Sequence, residues 1–245
     1  EMKAKEKLQM YSKAFCKVYN EFGWNYFPEA FGEQLLIWLE RNQVEVKESM
    51  DLACGPGVLC EFLHSHGIHA SGMDFSEGMI AIAKERNPEI PYEVADMITY
   101  RPDKEFDLVT CTGDAMNHII DLRDLEKIFH NVYGYLKKGA YFIFDILDQS
   151  EIALGEPIPL EWSDTVTAQF MITQNEEGII HLKTTVYENG IPQFEEVITE
   201  VVHDTYAVCQ LLKKCGFQVV SCDNRLLDDQ PARGMKWFVI ARKPL

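Results

Sequence analysis

Strands and helices alternate without interruption from Ser49 to Ile146, and that alternation restricts the chain to a small set of folds. Ser49 to Ala53 reads as a short apolar strand ending in a Gly-Pro-Gly turn, and a helix follows to His66. Ala70 to Met73 is the next strand, Gly78 to Arg86 the next helix and Tyr92 to Ala95 the third strand. Phe106 to Thr112 gives the fourth strand. Asp124 to Leu136 gives an amphipathic helix closed by Lys-Lys-Gly, and Ala140 to Ile146 the fifth strand. Ahead of them, Leu35, Leu36, Trp38 and Leu39 fall at helical spacing between Glu33 and Arg41. Strand-crossover-strand units are right-handed, so the series predicts a parallel sheet with helices on both faces.

The pattern changes after Leu147. From Trp162 to Thr199 apolar and polar residues alternate, with turns at Asn175 to Gly178 and Glu188 to Gly190, which predicts antiparallel sheet. A helix from Thr205 to Cys215 then stops at Gly216, and Phe217 to Cys222 and Lys236 to Ala241 give two final strands. The expected organisation is one main domain, 1–148 and 204–245, carrying an antiparallel β insertion, 149–203, over its active face. Trp162, Phe170, Met171, His181, Tyr187 and Phe194 lie on the insertion, and alternation leaves open which side faces a pocket.

A net charge of −16 and no Lys/Arg cluster argue against nucleic acid as a partner. No apolar run approaches the roughly 20 residues that span a bilayer, and EMKAKEKLQMYSKAF is a charged helical pattern without a signal-peptide core. No membrane partner and a cytoplasmic location are expected. The seven cysteines contain no C-x-x-C pair and read as reduced thiols. His64 and His66 precede Gly67 at a helix C-terminus, where they face water, so no metal site is expected.

Asp51-Leu-Ala-Cys-Gly-Pro-Gly57 stands where a buried strand turns into a helix. Gly55 and Gly57 would let the backbone approach a ligand, while Asp51 can take an amine or order the loop's amides. Asp74, at the end of the second strand, can accept both hydrogen bonds of a ribose diol. A dinucleotide fingerprint would need glycine at position 60, which is Cys60. That glycine serves a pyrophosphate, so its absence favours a nucleoside cofactor without phosphate.

With DLACGPG, four further stretches carry a wider resemblance: MDFSEGMIAIAKE from Met73, VADM from Val94, FDLVTCTGDAMNHI from Phe106 and LKKGAYFIFDI from Leu136. Together they resemble the class I S-adenosylmethionine-dependent methyltransferases over nearly the whole chain, and are similar to the small-molecule N-methyltransferases of glycine and amino-sugar type. Ala53 replaces the family's usual first glycine. The resemblance implies a Rossmann-like α/β fold, with a seven-stranded mostly parallel sheet and the antiparallel insertion after strand five. It implies S-adenosyl-L-methionine as cofactor, with Ala53 and Gly55 along its methionine part and Asp74 on the ribose. Phe75 would lie against adenine, Asp96 and the Met97 amide would meet its edge, and Thr112 would offer its backbone to the methionine amine.

The segment from Met10 to Phe31 is rich in aromatics, and aromatic faces attract a sulfonium and exclude water. Tyr19 and Trp24 are the candidates to close over the cofactor; packing against the insertion is the ordinary alternative. His118, just beyond strand four, is placed to take a proton from an acceptor or to orient it, with Asp114 and Asn117 assisting; capping of the next helix by Asn117 and His118 is the other reading. Arg233 and Lys236, near the mouth of the last hairpin, could meet an anionic acceptor; solvated surface charge is the ordinary reading. The expected activity is methyl transfer to a small-molecule acceptor, with an amine favoured and a homodimer left open as the assembly. The competing readings are an NAD-dependent oxidoreductase and a non-catalytic S-adenosylmethionine-binding regulator.

Overall fold

The parallel sheet forms because its strands are apolar on both faces. A computed structural model describes residues 11–21, 26–147, 154–161, 163–224 and 236–245. Two helices lead in, α1 (Lys13–Glu21) and α2 (Tyr26–Arg41). Pro28 falls in the first turn of α2, where a missing amide donor costs nothing. The central series is β1 (Glu48–Leu52), α3 (Val58–Ser65), β2 (His69–Asp74), α4 (Glu77–Arg86), β3 (Tyr92–Val94), β4 (Phe106–Cys111), α5 (Leu122–Tyr135) and β5 (Leu136–Leu147). After it come β6 (Ile158–Glu161), β7 (Val166–Gln174), β8 (Ile179–Glu188), β9 (Ile191–Val201), α6 (Thr205–Lys214), β10 (Gln218–Asp223) and β11 (Lys236–Arg242).

Seven strands form one sheet in the order β10-β11-β5-β4-β1-β2-β3, with β11 antiparallel to both neighbours and the other pairs parallel. Successive residues of β5 serve opposite cores. Phe142, Phe144 and Ile146 pack with Phe129, Val132 and Val239, while Ile143 packs with Phe31, Leu35 and Phe238. Burying each such aromatic side chain is worth about 1.5–3 kcal/mol, and removing one typically costs about 3–5 kcal/mol. In β4 the parity breaks: Phe106 and Val109 share a core although three positions apart, because the register against β5 shifts between Phe106 and Leu108.

Two boundaries differ from the sequence reading. Asp121 caps α5, its carboxylate accepting the Arg123 amide at 2.8 Å, so the helix starts at Leu122, before the expected Asp124. The Lys137-Lys138-Gly139 stretch lies within β5, which begins directly after α5. Gly139, at φ 78°, donates its amide to the Lys243 carbonyl, so the glycine shapes an irregular strand start instead of a helix stop.

The second sheet, β6-β7-β8-β9, is antiparallel throughout. Its strands decide the question alternation left open. Ala168, Phe170 and Ile172 of β7, Leu182 and Val186 of β8, and Ile198 of β9 face the main domain. Met171 and His181 sit at the opposite parity, and His181 Nδ1 lies 3.3 Å from the Thr199 hydroxyl. Trp162 lies outside the described residues. No described helix is long and apolar enough to cross a membrane.

Candidate active site

The strand order reverses between β1 and β4, so the loops leaving their C-terminal ends diverge and open a crevice, the usual ligand position on such a sheet. Across this point the Thr110 hydroxyl donates to Asp51 Oδ1 at 2.6 Å. Asp51 is buried, and desolvation pushes its carboxyl up to about 7 against the help of that hydrogen bond. It therefore has one oxygen placed to welcome a cation.

The loop after β1 is wound tightly. Ala53 and Gly55 both adopt left-handed backbone, at φ 53°. A Cβ on Gly55 would meet nothing within 4 Å, so its backbone faces open cavity. Ala53 holds the same handedness with a methyl group, which costs about 1–2 kcal/mol. Gly57 answers a different need: a Cβ there would stand 2.5 Å from the Tyr92 hydroxyl, and Gly57 lines neither compartment described below. Its lack of a side chain makes room for Tyr92 beneath the loop.

Asp74 ends β2 with both carboxylate oxygens already engaged by backbone. Oδ2 accepts the Gly55 amide at 2.9 Å and Oδ1 the Ser76 amide at 2.7 Å. The carboxylate also lines the cavity. Burial raises its pKa and the two amides oppose the rise. Asp96 accepts the Ile98 amide at 2.9 Å, which fixes the turn after β3.

The cavity has two compartments. The first, about 160 Å³, is bounded by Asp74, Phe75, Asp96, Met97 and Ile98. The second, about 410 Å³, is bounded on one side by Phe170, Ile172, Leu182 and Ile198 of the second sheet, and on the other by Asp51 and Asp114. Tyr19, Ala53, Gly55, Thr112 and His118 line both. Eleven of the sequence-derived site residues are thus brought to one place or its supporting loop; Trp24 lies outside the described residues.

His118 ends a short 3-10 turn, Ala115–His118, and its side chain is 6% exposed. Nδ1 lies 3.3 Å from the Thr199 carbonyl, which only a donor can satisfy, so in the neutral ring Nε2 carries the lone pair. Nε2 meets the Tyr11 hydroxyl at 3.4 Å and Glu200 Oε1 at 3.7 Å. Burial lowers the His118 pKa, keeping the ring neutral near pH 7. Neither helix-capping role applies. Asn117 instead bridges the sheets, donating to the Val201 carbonyl at 2.7 Å and accepting the Leu147 amide at 3.0 Å.

Three groups were missed by sequence reasoning. Lys236, expected as solvated charge, is only 18% exposed and is held between Asp145 Oδ2, at 2.7 Å, and Asp114. Burial would lower its pKa, but the two carboxylates outweigh it and the net shift is upward. Asp145 also accepts the amides of Gly113 and Asp114 at 2.8 and 3.0 Å, which locks the left-handed turn there. The available signal was an acid inside the apolar run YFIFDIL, a position that requires a partner. Glu200 is the third, 13% exposed on the second sheet. Arg233 lies outside the described residues.

Residues 50–139 match the family model described as a methyltransferase domain. YqeM of Bacillus subtilis (strain 168), which carries a methyltransferase name, is 26% identical over 251 residues, spanning 96% of this chain and 98% of its own. Among solved structures, an S-adenosylmethionine-dependent methyltransferase from Clostridium acetobutylicum ATCC 824 superposes with a TM-score of 0.77 at 21% identity, covering 88% of this chain and 91% of that one. The sugar N-methyltransferase KedS8 from Streptoalloteichus sp. ATCC 53650 superposes at 0.72 with 18% identity, covering 85% and 84%. The two structural likenesses show a shared fold, and the domain match falls on the strand ends that build the crevice. Taken with its motifs, the chain carries a methyltransferase domain match over residues 50–139 and is similar to S-adenosylmethionine-dependent methyltransferases.

Proposed function

We propose that the protein methylates an amine nitrogen on a small molecule. The observation that carries this reading is the shared wall of the two compartments: a largely apolar pocket opens directly beside the cofactor loop, with a neutral imidazole at the junction. The residues fit S-adenosylmethionine. Asp74 would accept the ribose hydroxyls, Phe75 and Met97 would hold the adenine, and Asp96 would take its amino group. Asp51, Ala53, Gly55 and the Thr112 backbone take the methionine part, Gly57 holds the loop's shape, and Tyr19 covers the sulfonium. When bound, the cofactor supplies an electrophilic methyl carbon with a neutral thioether as leaving group. His118 Nε2 receives the proton of the incoming ammonium, leaving the nitrogen lone pair free to attack. The second sheet, β6 to β9, acts as the substrate lid and excludes water from the line of transfer.

The amine is supported by that imidazole and by KedS8, named as a sugar N-methyltransferase. The test is a panel of small amines paired with the matching alcohols, followed by S-adenosylhomocysteine formation and product mass. N-methylated products are expected; methylation of the alcohols alone would overturn the reading.

A further inference from the structure

The acceptor compartment carries a charge pattern that selects among amines. Its apolar wall is a row across the second sheet, where Ile172 pairs with Leu182 and Leu182 with Ile198. At its polar end stand Asp51, Asp114 and Glu200, with Lys236 as the one full cation among the described residues that line it. Lys236 is already matched by Asp114 and Asp145. His118 is neutral, because burial outweighs its partners. The bound cofactor would add one net positive charge, with its ammonium on the Asp51 side. Among the described lining residues, Glu200 is thus left as the acidic group without a cation of its own.

Glu200 lies at the end of β9 next to Ile198 on the inward face, and its carboxylate reaches Nε2 of His118 at 3.7 Å. No described lysine or arginine forms an ion pair with it; Lys236 acts on it through space, opposing the burial that pushes its carboxyl up to about 7. A buried carboxylate in this state gains most from a cation that carries its own hydrogen-bond donors. An anion in the same place would face Glu200 and Asp114 across a low-dielectric space, a repulsion that the buried setting enlarges.

We infer that the acceptor is a cationic amine on an apolar body, that Glu200 is the specificity residue which anchors it, and that acceptors bearing phosphate or carboxylate groups are refused. The inference rests on the amine reading above. In the step it supports, the ammonium gives one proton to His118 Nε2, nitrogen forms its bond to the methyl carbon, and the carbon–sulfur pair of electrons stays on sulfur. The product leaves as a methylated ammonium.

Binding to the protein saturated with S-adenosylhomocysteine tests the charge rule without turnover. Calorimetric titration compares phenethylammonium, phenylacetate and phenyl phosphate, three probes with similar rings and different charge. The ammonium should bind at least ten times more tightly than either anion. In Glu200→Gln, which keeps the shape, the ammonium should weaken about tenfold while S-adenosylhomocysteine affinity stays unchanged. Equal or tighter binding of an anion by the unmodified protein, no binding of the ammonium, or an unaltered ammonium affinity in Glu200→Gln would each overturn the inference. If methyl transfer to amines proceeds but phosphorylated amines are preferred, the charge rule fails and the proposed function stands. If the ammonium binds as expected and only alcohols are methylated, the reverse holds.

Discussion

The two compartments are walled by different kinds of structure. The cofactor side is made of strand ends and tight turns of the parallel sheet, where Gly55 faces open space and Asp74 is held by two backbone amides. The acceptor side is made of side chains on one face of an antiparallel sheet, Phe170, Ile172, Leu182 and Ile198. A wall of backbone demands small or acidic residues at fixed places in the chain. A wall of side chains demands only that every second residue be apolar, so its chemistry can change while the sheet persists. Substitutions on the first should act on cofactor affinity, and those on the second on the acceptor alone.

The largest effect is expected at the seam. Lys236 joins β11 to Asp145 of β5 and to Asp114, beside the Gly113 turn. Lys236→Met leaves those carboxylates without their cation, which costs about 3–5 kcal/mol. At a few degrees per kcal/mol for a chain of this size, the melting temperature should drop by roughly 10 °C. An unchanged melting temperature would mean that water, not Lys236, neutralises the pair.

Next is Asp74→Ala, which removes the ribose contacts and orphans the Gly55 and Ser76 amides. Hydrogen bonds to a charged group are worth about 1.5–3 kcal/mol each, so the loss of two should weaken cofactor binding about 100-fold or more. Ammonium affinity, measured with a saturating amount of S-adenosylhomocysteine, should hardly move. Equal losses for both ligands would show that the compartments are not independent.

A smaller effect tests Asp51. Burial sets its carboxyl at about 7 when no ligand is bound, so below that pH it holds a proton. An ammonium beside it favours the carboxylate, and binding therefore expels the proton. Cofactor affinity should climb as pH rises toward 7 and then level, by up to about tenfold per pH unit. Titration at pH 6 and 8 in buffers of different ionisation enthalpy reads the proton release. A flat profile would remove Asp51 from the amine site.

The same contrast explains what could be read from the sequence. The order of β1 to β5, the turn at Ala53 to Gly57 and the acid at Asp74 follow from periodicity and residue type, because the backbone itself imposes them. The start of β5 could not be read, since Gly139 fits a helix stop and a strand irregularity equally well, and only pairing with the last strand and its Lys243 carbonyl decides. Lys236 and Asp145 are separated in sequence by the whole second sheet, α6 and β10. Their meeting depends on β11 lying antiparallel to β5 with Phe238 opposite Asp145, a register no local pattern encodes. His118 was legible as a candidate, but its tautomer rests on the Thr199 carbonyl of the second sheet.

The gentlest probe is Leu182→Ala, at the middle of the apolar row between Ile172 and Ile198. The side chain is half-buried and lines only the larger compartment, so its removal enlarges the pocket without touching the cofactor loop. Losing its contact with an acceptor should cost about 1–2 kcal/mol at roughly 0.8 kcal/mol per methylene, which is near tenfold in KM. Because the contact is made in the ground state and the transition state alike, kcat should stay nearly constant. Cofactor affinity should stay constant too. A fall in kcat with KM unaltered would instead place Leu182 among the groups that align nitrogen with the methyl carbon, and the side-chain wall would then share the work of orientation with the backbone wall.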